Sequence, residues 1–155
     1  MVRTALNKVA IALICGAGIL VLGVPPGLYV VGLSNIEGRP KAPTDMNHLA
    51  ADTVLLQQAF RSTAPITVHV LNPWTYVATL LTEDPKNQDN GSDALWLIAR
   101  NYNYKHLKSR KMSSWHLSGA ALTIWVSRNW TTEQVVTAAA AIARSWPNLP
   151  LTDSE

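Results

Sequence analysis

The sequence predicts a mainly α-helical protein, an uncharged N-terminal helix followed by a small helical domain. Three observations carry that prediction. Val9–Val24 reads VAIALICGAGILVLGV without a charge, later segments repeat apolar residues at helical spacing, and several of those segments open on helix-start residues.

The uncharged run continues past Pro25-Pro26-Gly27 through LYVVGL to Leu33. That total length suits a bilayer crossing, with a kink or helix end expected at the proline pair. Arg3 and Lys8 precede the run, so the positive-inside rule puts the N-terminus in the cytoplasm and the rest outside it. A cleaved signal peptide needs small residues at its cleavage site, and GVPPGLY offers no A-x-A pattern. A lipoprotein signal needs a small residue before Cys15, where Ile14 stands. The expectation is an uncleaved single-pass anchor over residues 1–33. Cys15, the chain's single cysteine, reads as a small apolar residue, which leaves the outer part without thiol chemistry.

Residues 34–44 (SNIEGRPKAPT) read as a polar linker, and 45–155 as one domain. Asp45–Phe60 carries Met46, Leu49, Thr53, Leu56 and Phe60 at helical spacing, with Thr44 or Asp45 to cap it. Ile66–Leu71 (ITVHVL) alternates and is β-branched, which predicts a short strand or extended stretch. Asn72-Pro73 starts a helix that runs to about Glu83. Ser92 or Asp93 caps the next, Ala94–Asn101, and a longer helix follows from about Ser113 to Arg128. Thr131 and Gln134 have the spacing of a capping box, and the helix they open stops before Pro147.

The formal net charge is only +3, but the cations are unevenly spread. Between Ala94 and Thr132 there is no Asp or Glu, while Arg100, Lys105, Lys108, Arg110, Lys111 and Arg128 all fall inside. Such a patch fits an acidic ligand, an anionic lipid surface or a solvated face. Nucleic acid is excluded as a partner, because the anchor puts the domain on the wrong side of the membrane. The four histidines share no metal-ligand spacing, so neither metal nor cofactor is expected. Ser113, Ser114 and His116 form no nucleophile motif. The six tryptophans are core residues for the most part, with one or two available to stack on sugar rings or to lie at a membrane interface.

NGSDALWLIARN (Asn90–Asn101) resembles the second signature of the peptidoglycan glycosyltransferases, the transglycosylase domains of class A penicillin-binding proteins and the monofunctional transglycosylases. There a Gly-Gly-Ser-Thr turn opens a helix ending in Leu-Ala-Lys/Arg-Asn, and Gly91, Ser92, Ala99, Arg100 and Asn101 match it. Downstream, Arg110-Lys111 match the family's basic pair, and Trp130-Thr131 followed by Glu133 match a later turn. Upstream, ATLLTED (Ala78–Asp84) resembles the first signature, whose Glu-Asp pair includes the catalytic glutamate. The matches keep the family's order over about half of the outer domain.

The resemblance implies a lysozyme-like helical fold, residence in a bacterial inner membrane with the domain in the periplasm, and lipid II or glycan strands as ligands. By the same resemblance Glu83 is the candidate base for glycosyl transfer. Gly91 and Ser92 then offer helix-start N–H groups to a pyrophosphate, with Arg100, Asn101, Lys105, Lys108, Arg110 and Lys111 around it. The chain also departs from the pattern. Only PKNQDN separates the Glu-Asp pair from the Gly-Ser turn, Trp96 and Leu97 replace two glutamines, and Gly119 stands where the family keeps its second glutamate. Ala139-Ala140-Ala141 replace a closing Tyr-Leu-Asn. These losses imply a catalytically impaired domain that binds a peptidoglycan precursor, a glycan or an envelope protein. The alternatives are an active minimal glycosyltransferase using Glu83, and a structural subunit of an inner-membrane envelope complex.

Overall fold

The structure, a computed structural model, describes residues 2–82, 90–109 and 111–146, with backbone alone for 2–15, 17, 19 and 79–82. Six helices account for most of it: α1 Val2–Ser34, α2 Leu49–Ala59, α3 Pro73–Thr82, α4 Asn90–His106, α5 Met112–Asn129 and α6 Thr132–Ser145. The protein is mainly α, as the sequence predicts. Among the described residues no helix is long and apolar enough to cross a membrane; part of the uncharged run is described in backbone alone.

Helix α4 is the centre of the packing. Ala94, Leu95, Leu97, Ile98 and Ala99 are all buried in it, because α5 and α6 both lie against it. Burial against two helices needs a broad apolar face, and Ala94, Leu95, Leu97, Ile98 and Ala99 supply it while Trp96 stays exposed. Leu95 and Leu97, each 1% exposed, contribute about 2 kcal/mol apiece by removal from water. Leu56 of α2 and Phe60 just after it join Val135, Val136, Ala139 and Ala140 of α6 in the same core. The small alanines let α2 and α6 approach closely. Asp52 of α2, also buried, is ion-paired with Arg144 at the other end of the chain.

Local signals decide several helix ends. The Asn72 side chain accepts from the backbone N–H groups of Trp74 and Thr75, at 3.0 and 2.8 Å, and Pro73 takes the first helical position. Thr131 and Gln134 close the capping box of α6 with bonds of 3.3 and 2.9 Å. The Thr131 hydroxyl also holds the Glu133 carboxyl below the usual range. Asp45 is not the cap of α2. It accepts from the Asn47 N–H in a turn, and the helix starts four residues later at Leu49.

Three expectations are refined. Of the kink or helix end expected at the proline pair, the end does not occur, and α1 continues as one helix to Ser34. The segment 34–44 is tied to the domain near its start. Ile36 is buried and bridges Leu107, Glu37 N–H donates to His106 O, and Tyr102 Oη donates to Glu37 O. Gly38 makes this turn at φ +70, a left-handed conformation suited to glycine. Of the two readings of Ile66–Leu71, the strand is not formed among the described residues, and the segment lies outside any helix or sheet. It is held instead by hydroxyls, with Val68 N–H donating to Thr132 and Leu71 N–H to Ser127.

Helix α1 joins the domain along α5. A Cβ on Gly32 would stand 2.5 Å from the Leu117 carbonyl oxygen and 2.6 Å from Ala121 Cβ, so only glycine permits this approach. Eleven positions earlier, the Val21 carbonyl accepts from Trp74 Nε1 of α3 at 3.1 Å.

Candidate functional site

Trp96, Arg100 and Asn103 are spaced by four and three residues, so they share one face of α4. That face meets Tyr76 of α3 and Trp115, His116 and Gly119 of α5 around a cleft of about 270 Å³. The Arg100 guanidinium lies 5.0 Å from the centre of the Trp96 ring. No carboxylate among the described residues pairs with it. Cation–π contact holds the guanidinium over the indole without neutralising it. Burial pushes the Tyr76 phenol above its ordinary value, so it stays a neutral hydroxyl donor.

Asn103 is 1% exposed, and its Nδ2 donates to the Trp115 carbonyl at 2.8 Å. Its Oδ1 has no partner among the described residues. A buried acceptor left unmet costs about 1–3 kcal/mol. Asn103 and Trp115 also line a second, wider cleft of about 600 Å³, together with Tyr104, Lys105, Leu107 and Met112. The two clefts thus share a wall, with Arg100 on one side and Lys105 on the other.

The structure separates the residues that the sequence groups together. Gly91 and Ser92 do not form a turn before the helix; both lie in the first turn of α4, and Gly91 is buried. Lys105 is on the last turn of the same helix, about 20 Å away at 1.5 Å per residue. One pyrophosphate does not reach both. Asn101 is half-buried on α4, one residue from Arg100 and not on the cleft. Lys108 reaches the end of α1, where its Nζ donates to the Ser34 carbonyl at 2.9 Å. A cation at a helix C-terminus answers its free carbonyls and dipole. Lys111 is exposed at the N-cap of α5. Glu83, Asp84 and Arg110 lie outside the described residues.

Arg100 and Lys105 are therefore the predicted residues that line these two clefts, and Arg100 is the one held over an indole. Trp96, Asn103, Tyr76, Trp115 and His116 were not predicted as site residues, although the spacing of Trp96, Arg100 and Asn103 was a usable signal. The walls carry a cation, ring faces, a phenol and an amide, and no carboxylate among the described residues. That set suits an anionic, hydroxyl-rich ligand: rings for sugar faces, Arg100 for a phosphate or carboxylate. No family model, curated protein or solved structure matches the chain.

Proposed function

We propose that this chain is a membrane-anchored, transglycosylase-related domain of lysozyme-like type that binds an anionic envelope saccharide, lipid II or a glycan strand, without polymerising it. The anchor is the uncharged run from Val9 to Leu33, behind Arg3 and Lys8. The observation that carries the ligand is the Arg100 guanidinium over Trp96, without a carboxylate partner among the described residues, inside a cleft walled by Tyr76 and Trp115. Gly119, the position where the resembling family keeps its second acid, lines the same cleft. Transfer requires a base for the incoming hydroxyl and support for the leaving pyrophosphate. Among the described residues these walls hold no carboxylate for that base, and His116 is their one imidazole; the loss of the family's second acid at Gly119 is what favours binding over polymerisation.

The test is titration of the purified full chain in detergent with lipid II, read by tryptophan fluorescence and calorimetry. Saturable binding is expected, weakened by about tenfold in Arg100→Ala through loss of a charge-assisted contact. Equal affinity of Arg100→Ala and the parent chain overturns the assignment of the cleft. A polymerisation assay on the same preparation is expected to yield no glycan; product that disappears in Glu83→Gln identifies the enzyme instead.

A further inference from the structure

The outward side of α1 is apolar over its last turns before the domain's charged surface begins. Leu20, Val21, Leu22, Val24, Leu28, Val30 and Val31 are 44–67% exposed. At about 100° per residue all but Leu22 fall within one half of the helix circumference. The other half carries Leu22 and then Pro25, Tyr29, Gly32 and Leu33, and these last four are less exposed and turn toward the domain. No charged residue occurs from Val9 to Ile36. A contiguous apolar half-face of this kind is not left to water in a stable protein. At the start of α3, Trp74 and Val77 extend it; both are exposed and lie three residues apart on one helix face.

The backbone gives a second, independent argument. Pro25 has no N–H, so it leaves the Val21 carbonyl without its usual partner four residues on. In water such a carbonyl is solvated at little cost. Here it receives the indole N–H of Trp74 at 3.1 Å, which is what a carbonyl needs where water is absent.

Length supplies the third. A helix needs about 20 residues to cross the hydrocarbon core, and counting from the residue after Lys8 carries the crossing to Leu28. The domain already touches α1 at Val21. The overlap, Val21 to Leu28, is about 10 Å of helix.

We infer that the domain is partly sunk in the bilayer, with the outward face of α1 over residues 20–31 and the Trp74–Val77 face of α3 in contact with the acyl chains of the leaflet on the domain's side. This inference rests on the anchor proposed above. The occupant is lipid, because the surface continues the membrane run without a polar boundary and brings with it a solvent-independent answer for the freed carbonyl.

The experiment uses the full chain, with Cys15 replaced by Ser and single nitroxide labels attached in Val24→Cys, Leu28→Cys, Val77→Cys and Ser113→Cys. Each variant is reconstituted in phosphatidylethanolamine–phosphatidylglycerol vesicles, its helicity is checked by circular dichroism, and its collisions with oxygen and with a water-soluble nickel chelate are measured. Labels at 24, 28 and 77 are expected to favour oxygen several-fold over nickel, and the label at 113 to show the reverse. If position 24 favours oxygen while 77 favours nickel, the anchor stands and the immersion of α3 is overturned. Shielding of 77 from both agents also overturns it, by placing a second copy or another protein on this face. Failure of the chain to float with vesicles removes the anchor reading itself.

Discussion

Trp74 donates its indole N–H to the backbone carbonyl of Val21 across 53 residues of sequence, at the position where Pro25 withholds the helical bond. A proline pair inside a helix ordinarily kinks or breaks it, at about 3 kcal/mol or more. The donor from α3 offsets part of that cost and fixes α3 to α1 at the same point. Trp74→Phe keeps the ring and removes the donor, so a loss of about 1–3 kcal/mol is expected. Pro25→Ala returns a helical N–H to Val21. The loss caused by Trp74→Phe is therefore expected to shrink in the Pro25→Ala background, and thermal unfolding of the four-member cycle in detergent measures this coupling. Equal losses in both backgrounds would show that the bond is incidental.

The junction between α1 and α5 depends on one missing methyl. At Gly32 an added Cβ meets the Leu117 carbonyl oxygen and Ala121, both too close to accept it. At Gly27 nothing lies within 4 Å. Gly32→Ala is expected to cost about 1–3 kcal/mol through overpacking. Gly27→Ala, which only gains helix propensity, is expected to be neutral or stabilising by up to about 1 kcal/mol. Circular dichroism melts of the two variants check this difference in sign.

What was legible in the sequence was local. Asn72-Pro73 and the Thr131–Gln134 box each act within one helical turn, and both work as read. Long-range contacts decided the misses. Ser92 and Asp93 read as caps, but α4 already includes Asn90, whose side-chain amide is committed to Ser62 and the Ala64 carbonyl. The proline pair read as a kink or helix end, but the helix continues, and a tryptophan from another helix satisfies the Val21 carbonyl, one of the two that the pair frees. The cations read as one patch because they are neighbours in sequence, but Arg100 and Lys105 stand on α4, Lys108 is bonded to the end of α1 and Lys111 is the N-cap of α5. Half the cleft was visible as the Trp96, Arg100 and Asn103 spacing. The other half, Tyr76 and Trp115, comes opposite through folding alone.

Arg61 follows the end of α2 with φ 51, a left-handed backbone on a non-glycine residue. Its N–H donates to Gln58 O and the Ser62 N–H to Gln57 O, the paired bonds of a Schellman ending. Glycine is preferred at this position because any Cβ costs about 1–2 kcal/mol there. Part of that is offset by the greater freedom of glycine in the unfolded chain. Arg61→Gly is expected to stabilise the fold by about 0.5–1 kcal/mol, visible as a higher denaturation midpoint with an unchanged denaturant slope.

Asp52 and Arg144 tie α2 to α6, with the carboxylate buried and the arginine side chain 47% exposed. Removing the arginine leaves a buried carboxylate unmatched, whereas removing both charges does not. Arg144→Met alone is expected to cost about 3 kcal/mol. The Asp52→Leu/Arg144→Met pair is expected to recover most of that loss. Urea unfolding of the single and double variants checks the order, and a double variant no better than the single would place the cost in lost packing of the arginine stem.

Arg100 and Lys108 are both cations of the acid-free stretch, but their surroundings assign them different work. Lys108 Nζ is bonded to the last carbonyl of α1, and its backbone N–H to Asn35 O. Arg100 has no carboxylate partner among the described residues and faces the aromatic cleft. Lys108→Met removes a charge-assisted bond at a helix end and is expected to lower stability by about 1 kcal/mol. It should leave lipid II affinity unchanged. Arg100→Met keeps apolar contact with Trp96, so stability should stay within about 0.5 kcal/mol while affinity falls. Parallel melts and titrations separate the two effects. A loss of affinity in Lys108→Met equal to that in Arg100→Met would mean that the ligand reads the net charge of the surface and not the cleft.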